Sequence, residues 1–327
     1  MSHDQLGTVS DDVAEAIDML ARTHVETPRI RQLSTAFQRL FRADTGIGDR
    51  LKPRRFSDGL ETHGIAIIGA SGSGKTELLH HYFKSHPSLQ AAPGEKWSRY
   101  LHVTVPSPAT LKSLGFECLK LLHYPNVSDR SEKWKIWDLV KFRLSKAEIQ
   151  VLWIDEAHDL YKPQEREDLL NTLKSLMQGE KAVVVVLSGT EKLSDILKED
   201  RQVGRRFAKI YLPEVTLATD GEQLARLTTA YAQRVGLEAS PSEELIQRLI
   251  HAARNQFGLS VEIVIGAIEW ALLAGKGTLN VQDFAEYWAA QEGCKPDKNV
   301  FLVRNWAEIE LDERAGEAPV RKRSRRK

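Results

Sequence analysis

The stretch that decides the fold is residues 64–76, which read GIAIIGASGSGKT. Its first six residues form a short, continuously apolar run, typical of a strand buried on both faces of a parallel sheet. Residues 69–76 then read G-x-x-x-x-G-K-T, and helical periodicity begins at residue 75. The stretch therefore predicts a phosphate-binding loop between a strand and a helix.

The residue types of this loop explain the chemistry. Glycines let the backbone turn tightly and aim its N–H groups at phosphate oxygens, and the start of the helix adds its positive end. We expect Lys75 to meet the β- and γ-phosphates of ATP and Thr76 to offer its hydroxyl to Mg²⁺. The predicted nucleotide-binding residues are Gly69, Ala70, Ser71, Gly72, Ser73, Gly74, Lys75 and Thr76.

Two adjacent acids end a second apolar run. Residues 151–156 read VLWIDE, so a strand delivers Asp155 and Glu156 at its carboxyl end, where ligands of open α/β sheets bind. Asp155 is the predicted Mg²⁺ ligand together with Thr76. Glu156 is the predicted general base that polarises the attacking water.

Two more positions complete the predicted hydrolytic site. The run at residues 182–188 ends in Ser188-Gly189-Thr190, and we expect the Ser188 side chain to orient the water and the γ-phosphate, with Thr190 equally suited to capping a helix. Arg205 and Arg206 precede the last strand, where an arginine can project into a neighbouring subunit's site as an arginine finger. The alternative is a surface arginine pair bound to acids of the same chain.

The whole chain shows an alternating pattern followed by helices. Short apolar runs and helical segments alternate until Pro213, after which only helical periodicity remains. This predicts an α/β fold with a five-stranded parallel sheet between helices, followed by a small C-terminal helical domain. The predicted strands are 64–69, 100–105, 149–154, 182–188 and 208–212. The predicted helices are a short amphipathic helix within 1–23 and helices at 28–41, 75–85, 107–122, 131–147, 164–178, 219–235, 242–256, 260–274 and 280–290.

Composition excludes several classes of protein. Of 327 residues, 42% are hydrophobic and 28% charged, and the two cysteines are too few for a disulfide scaffold. We find no apolar run near the ~18–20 residues of a membrane helix and no secretory signal, so we expect a cytoplasmic protein with no membrane partner. The last seven residues hold six of the 46 basic residues, which leaves 40 basic and 45 acidic residues before them. This basic tail is either an arm for a polyanion or a solubilising terminus.

The order of these motifs resembles the AAA+ P-loop ATPases over roughly residues 20–290. Within them the chain looks most like the TniB/TnsC group of transposition regulators, on the segments HVETPRI at 24–30, GASGSGKT at 69–76, IDEAH at 154–158, LSGT at 187–190 and RRF at 205–207. The resemblance implies an N-terminal helical extension at 1–62, an AAA+ core at 63–213, a lid at 214–290 and a C-terminal extension with the basic tail at 291–327.

The resemblance also implies a function. Members of this group bind ATP between subunits, assemble into rings or helical filaments on double-stranded DNA, and connect target DNA to a DDE-type transposase, often with a TniQ-type targeting protein. By resemblance, Arg206 is the preferred arginine finger and Arg205 the second choice. Val25 and Ile30 are then apolar contacts to the adenine.

One departure from the AAA+ pattern bears on rate. Many AAA+ lids carry an arginine at the start of their third helix, where this chain reads GLSVE at 258–262, and Arg254 lies four residues earlier. We therefore expect slow ATP hydrolysis. The alternatives are an AAA+ ATPase acting on protein partners, such as a helicase loader or a secretion-type ATPase, and a non-hydrolysing ATP-sensing scaffold.

Basic residues interleaved with tryptophans lie between residues 112 and 146. They predict either a DNA-contacting surface that follows the phosphate backbone or a solvated helix face whose tryptophans pack inward. The candidate DNA contacts are Lys112, Lys133 and Lys135.

Overall fold

The computed structural model describes residues 3–23, 27–42, 51–56, 59–124, 127–160 and 165–311, with side chains from residue 11 onward. Val25 and the basic tail, for which the sequence makes predictions, lie outside these residues. The chain divides into two compact units. The core unit is residues 24–213, and the helical unit joins residues 1–23 to residues 214–327.

The core unit contains a five-stranded, wholly parallel sheet, as the sequence predicts. Its strands are β3 (Gly64–Ile68), β4 (Tyr100–Thr104), β5 (Val151–Asp155), β6 (Val184–Gly189) and β7 (Phe207–Tyr211), in the spatial order β4-β5-β6-β3-β7. Strand β6 therefore lies between the strand that precedes the glycine-rich loop and the strand that ends in Asp155. This order brings the predicted site residues to neighbouring strand ends.

Helices cover the sheet. They are α2 (Pro28–Gln38), α3 (Lys75–Ser85), α4 (Leu111–Leu121), α5 (Lys133–Lys146), α6 (Arg166–Leu176), α7 (Glu191–Glu199) and α8 (Arg201–Gly204), with 3-10 turns η1 (Pro87–Leu89) and η2 (Ala157–Leu160). The sequence prediction missed α7, α8 and a short antiparallel pair, β1 (Phe41–Arg42) and β2 (Lys52–Pro53). Helix α4 begins at Leu111 rather than near residue 107, because Thr110 and Ser113 form a reciprocal capping box there.

Alternate residues of the central strands enter different cores. Ile65 and Ile67 pack in one core, while Ala66 and Ile68 pack in the other. Both faces must therefore be apolar, and burying each large side chain contributes roughly 1.5–3 kcal/mol. Gly64 is required at the start of β3 because a Cβ there would collide with the backbone oxygen of Val185.

The helical unit has a different composition of elements. It contains α1 (His3–Ala21), α9 (Leu217–Arg234), α10 (Glu243–Ala252), α11 (Phe257–Leu273) and α12 (Val281–Glu292), followed by 3-10 turns η3 (Pro296–Lys298) and η4 (Trp306–Glu308). Helix α1 packs against α11. The first 23 residues thus join this unit rather than a separate extension over 1–62, since Tyr231 Oη donates a hydrogen bond to the carbonyl of Thr23 across 2.7 Å.

The C-terminal extension lies against α10, where basic side chains bind its backbone. Arg248 donates to the carbonyls of Val300 and Val303 at 2.6 and 2.9 Å, and Arg254 donates to that of Leu311 at 3.3 Å. Capping these otherwise unpaired carbonyls gives the irregular segment 296–311 a fixed path. Among the described helices, none alone is long and apolar enough to cross a membrane, although α10 and α11 pass that test together as a pair bent by 115°.

Candidate nucleotide-binding site

The glycine-rich loop connects β3 to α3 as the sequence predicts. Gly72 and Gly74 have φ angles of 76° and 86°, in the left-handed region that glycine adopts without steric cost. Helix α3 begins at Lys75, so its unpaired N–H groups face the loop. This combination of glycine turn and helix N-terminus favours a bound phosphate.

Lys75 lies inside this loop. Its side chain is 4% exposed, and Nζ donates to the carbonyl oxygens of Gly69 and Ala70 at 3.1 and 2.9 Å. Burial lowers the pKa of the Lys75 ammonium, while the carboxylates of Glu156 and Asp155 oppose that shift. Ser73 Oγ is buried in the same loop without a hydrogen-bond partner. The loop therefore holds a cation and an unsatisfied hydroxyl where a phosphate would accept from both.

The two predicted Mg²⁺ ligands meet in the structure. Thr76 Oγ1 donates to Asp155 Oδ2 across 2.8 Å, which links the first turn of α3 to the end of β5. The other carboxylate oxygen, Oδ1, accepts from the backbone N–H of Glu156 at 3.0 Å. A hydroxyl and a carboxylate are oxygen ligands that suit Mg²⁺, which is usually held by one or two protein groups with phosphates and waters. The residues present therefore fit both ATP phosphates and the metal.

Ser188, the predicted water-orienting residue, has two side-chain partners in the structure. Its side chain is fully buried, and Oγ donates to Asp155 Oδ1 at 2.5 Å while accepting from Trp153 Nε1 at 2.7 Å. The hydroxyl proton of Ser188 is therefore directed at the Asp155 carboxylate. Thr190, at the N-cap of α7, makes no capping bond, and its Oγ1 is buried without a partner.

Glu156 has an unusual backbone and a specific neighbour. Its φ of 54° is uncommon for a residue with a side chain. Its carboxylate Oε2 lies 3.2 Å from Nδ1 of His158, and the same Nδ1 lies 3.4 Å from the backbone nitrogen of Thr190, placed to accept its N–H. The His158 ring thus lies between the general-base candidate and the end of β6.

A stack of aromatic rings lies behind Asp155. The His102 ring stacks on Trp153 with centroids 3.7 Å apart, and His80 meets both rings edge-on. His102 Nε2 is buried without a hydrogen-bond partner, 4.0 Å from Asp155 Oδ2. Burial and the adjoining His80 lower the pKa of His102 to about 4, against the opposing attraction of Asp155. The neutral imidazole ring of His102 therefore lies beside the Asp155 carboxylate.

The arginine pair is only partly as predicted. The guanidinium of Arg206 is 4% exposed and donates to Glu61 Oε1 at 2.5 Å. Arg205 is 64% exposed and lies 3.6 Å from Glu61 Oε2. Arg206 is thus bound to an acid of its own chain, the alternative that the sequence leaves open for this pair. Arg205 is the member of the pair that faces solvent.

The candidate DNA contacts differ in their surroundings. Lys112 donates to the backbone carbonyl of Asp129, and Lys133 forms an ion pair with Asp168. Lys135 is 76% exposed and 3.7 Å from Glu132. Trp137 is buried and donates to the carbonyl of Leu111, whereas Trp134 is 45% exposed. The surface therefore matches neither the predicted DNA-contacting surface nor the solvated helix face in full, since Trp137 packs inward and Trp134 does not.

Of the two residues predicted to contact the adenine, only Ile30 is among the described residues. Ile30 is partly buried in the first turn of α2, and Val25 is not among the described residues. The third helix of the lid is α11, which begins at Phe257. Arg254 forms a two-contact ion pair with Glu292, at 3.1 and 3.2 Å. Within the described ranges, no three His, Cys, Asp or Glu side chains form a cluster able to hold a metal ion.

Sequence reasoning missed Glu61, His102 and Trp153 as neighbours of the predicted site residues. These residues reach the site through contacts between distant segments, so no local sequence spacing predicts that they are neighbours of the site. His158 was visible only as the last residue of the IDEAH segment.

Comparison with solved structures identifies the fold as that of the AAA+ ATPases. Cdc6p from Pyrobaculum aerophilum is 15% identical, covers 87% of this chain with 76% of its own, and superposes with a TM-score of 0.55. ORC1 of Aeropyrum pernix, solved in complex with DNA, is 13% identical over 83% of this chain and 65% of its own, with a TM-score of 0.54. ORC2 of the same organism, solved as ADPNP-ADP complexes, is 16% identical over 72% and 66%, with a TM-score of 0.50.

The family is given by a sequence comparison. Residues 52–217, half of the chain, match the family described as Bacterial TniB protein, and the chain belongs to that family. The matched range includes the glycine-rich loop, Asp155, Glu156 and both arginines. A search of curated proteins returned no match.

Proposed function

We propose that this protein is an ATP-dependent regulator of transposition that oligomerises on double-stranded target DNA, hydrolyses ATP slowly, and recruits or activates a DDE-type transposase. The observation that carries the proposal is the convergence of Lys75, Thr76, Asp155 and Glu156 at one edge of the sheet, in a chain of the TniB family. A TniQ-type targeting protein is a further proposed partner, and the cytoplasm the proposed location.

The chemistry proposed for the site is attack of water on the γ-phosphate of ATP, which breaks the bond from the γ-phosphorus to the bridging oxygen and releases ADP and phosphate. Lys75 would exchange its loop carbonyls for phosphate oxygens, and Thr76 with Asp155 would hold Mg²⁺, which would neutralise charge on the phosphates when bound. Glu156 accepts a proton from the attacking water. Ser188 fixes the orientation of the Asp155 carboxylate through its 2.5 Å hydrogen bond.

Slow hydrolysis is supported by the helical unit. The first turn of α11 carries Gly258, Leu259 and Ser260, at the position where many AAA+ ATPases carry an arginine. Arg254 is engaged by Glu292 and by the carbonyl of Leu311. A site that lacks one positive charge stabilises the developing negative charge less, so hydrolysis depends on an arginine from a neighbouring subunit.

Binding to DNA is supported from two sides. ORC1 of Aeropyrum pernix, which has the same fold, was solved in complex with DNA. In this chain Lys135 presents an exposed ammonium on α5, beside the exposed Trp134, and Lys112 lies on α4, the helix packed against α5. Lys112 and Lys133 would exchange their present partners for phosphates, whereas Lys135 needs to leave only a solvent-exposed contact.

The experiment that tests the ATPase combines nucleotide binding, hydrolysis and assembly in the full chain. We expect Lys75→Ala to abolish ATP binding. We expect Glu156→Gln to bind ATP, to hydrolyse it at least about 100-fold more slowly, and to remain assembled on DNA. A Glu156→Gln protein with the same assembly lifetime as the unmodified protein would instead favour a non-hydrolysing ATP-sensing scaffold.

A further inference from the structure

We propose that His158 is a positioning residue, which holds the carboxylate of Glu156 and couples it to the end of strand β6 through Thr190. The proposal rests on the ATP hydrolysis proposed above. His158 lies in the turn after the catalytic acids. Among the described residues, its contacts include neither the glycine-rich loop nor Asp155.

One atom of His158 has two mutually exclusive partners. Nδ1 lies 3.2 Å from Glu156 Oε2, a contact that is a hydrogen bond only when Nδ1 carries a proton. It also lies 3.4 Å from the backbone nitrogen of Thr190, a contact that is a hydrogen bond only when Nδ1 carries none. The ring therefore bonds to the carboxylate or to the strand end, but not to both.

The surroundings keep the ring between these partners. The His158 side chain is 14% exposed, and its Nε2 faces the Asp159 carboxylate at 3.6 Å. At Gly189 a Cβ would meet Nδ1 at 3.1 Å and Leu193 Cβ at 3.3 Å. The glycine thus leaves just enough room for the ring beside β6.

The strand end is itself in contact with the phosphate loop. The carbonyl of Gly189 accepts from the backbone N–H of Gly69 at 3.1 Å, and the next residue, Thr190, has a buried hydroxyl without a partner. A shift of Thr190 toward a γ-phosphate would break the hydrogen bond from its backbone N–H to His158 Nδ1. The reverse shift would restore that bond. Either change alters which partner Nδ1 takes, so the position of Glu156 follows the state of the loop.

Glu156 needs such a partner because its backbone alone does not fix it. Its φ of 54° is a strained position, and its side chain is 39% exposed. A freely rotating carboxylate would meet the attacking water in only a fraction of its conformations, whereas a hydrogen bond from His158 selects one. The expected consequence of losing His158 is a lower kcat with an unchanged KM for ATP.

The first test needs no enzymatic activity. In full-length protein labelled with ¹⁵N-histidine, NMR reports whether Nδ1 of His158 carries a proton, and the His158→Asn variant identifies its signal. We expect a proton on Nδ1 in the nucleotide-free protein, and its loss in Glu156→Ala, where Nδ1 then accepts from Thr190. Absence of that proton in the unmodified protein, or its persistence in Glu156→Ala, would overturn the proposal.

The second test separates positioning from a structural role. Asparagine places its amide where Nδ1 lies, whereas glutamine reaches toward the position of Nε2. We expect His158→Gln to lower kcat about tenfold or more, and His158→Asn to retain kcat within about threefold, with KM and the melting temperature unchanged in both. His123→Asn, in the loop after α4, is the matched control and leaves kcat, KM and the melting temperature unchanged.

The outcomes distinguish the two proposals. If the unmodified protein hydrolyses no ATP, the proposed function fails, while the NMR measurement still decides the contact of His158 with Glu156. Equal losses in His158→Gln and His158→Asn, or an effect on KM alone, would overturn the positioning role. If His158→Gln fails to fold, His158→Asn and the Glu156→Ala spectrum keep the question decidable.

Discussion

Arg206 and Glu61 form an ion pair across 2.5 Å inside the core unit, with side chains 4% and 11% exposed, although 145 residues separate them in sequence. Beside them Arg205 remains 64% exposed. The two consecutive arginines are therefore placed differently, one buried in an ion pair and one facing solvent.

Removing the acid of this pair should destabilise the core unit. Glu61→Ala leaves the Arg206 guanidinium buried without its carboxylate, and we expect a loss of ~3–5 kcal/mol in the free energy of unfolding, measured with urea. Arg205→Ala removes only an exposed contact and should cost less than about 1 kcal/mol. Similar small losses of the free energy of unfolding in Glu61→Ala and Arg205→Ala would show that the buried ion pair does not stabilise the core unit.

Arg205 should act in a neighbour's site. Arg205→Ala is expected to lower ATP hydrolysis by the assembled protein about 10³-fold without lowering stability, because an arginine finger stabilises transition-state charge. Arg201→Ala, four residues earlier on α8, is the matched control and should hydrolyse ATP normally.

A mixing experiment tests whether the arginine acts in trans. Arg205→Ala subunits keep their own Glu156, and Glu156→Gln subunits keep their own Arg205. Mixed assemblies of the two inactive variants should therefore regain part of the hydrolysis rate. No recovery on mixing would contradict a finger at Arg205.

His102 should make stability depend on pH. Its pKa is about 4 in the folded protein and about 6.5 in an unfolded chain. Between these pH values His102 is protonated in the unfolded chain but neutral in the folded protein. The free energy of unfolding therefore falls as the pH is lowered from about 6.5 to about 4, and the contribution of His102 is constant below that pH. With allowance for partial exposure, the loss is about 2 kcal/mol.

The variant His102→Gln isolates this contribution. Its free energy of unfolding in urea, measured at pH 7 and pH 4.5, should fall by about 2 kcal/mol less than that of the unmodified protein over the same interval. Equal falls in the two proteins would mean that His102 titrates normally in the fold.

The sheet and the central acids were predictable because their signals are local. Continuous apolar runs gave all five parallel strands within about two residues of their observed bounds, and the glycine-rich loop placed the start of α3 at Lys75. Thr76 and Asp155 could be paired in advance, since parallel strands place their carboxyl ends at one edge.

The contacts that the sequence did not predict join distant segments. Nothing near Arg206 in sequence indicates Glu61, and nothing near Ser188 indicates that Trp153 and Asp155 would use its hydroxyl. The association of the N-terminal segment with the helical unit likewise involves distant partners, since α1 packs on α11 and Thr23 accepts a hydrogen bond from Tyr231, more than 200 residues away along the chain. Periodicity predicts that a segment is a helix, but not which unit it joins.

The most direct test of the account is ATP-dependent assembly on random-sequence double-stranded DNA, measured by sedimentation. The protein is compared with ATP, with ADP, and as Lys75→Ala with ATP. The account predicts large DNA-bound assemblies only when ATP and Lys75 are both present. Absence of DNA binding in every nucleotide state, or the same assemblies with ADP and with Lys75→Ala, would contradict it.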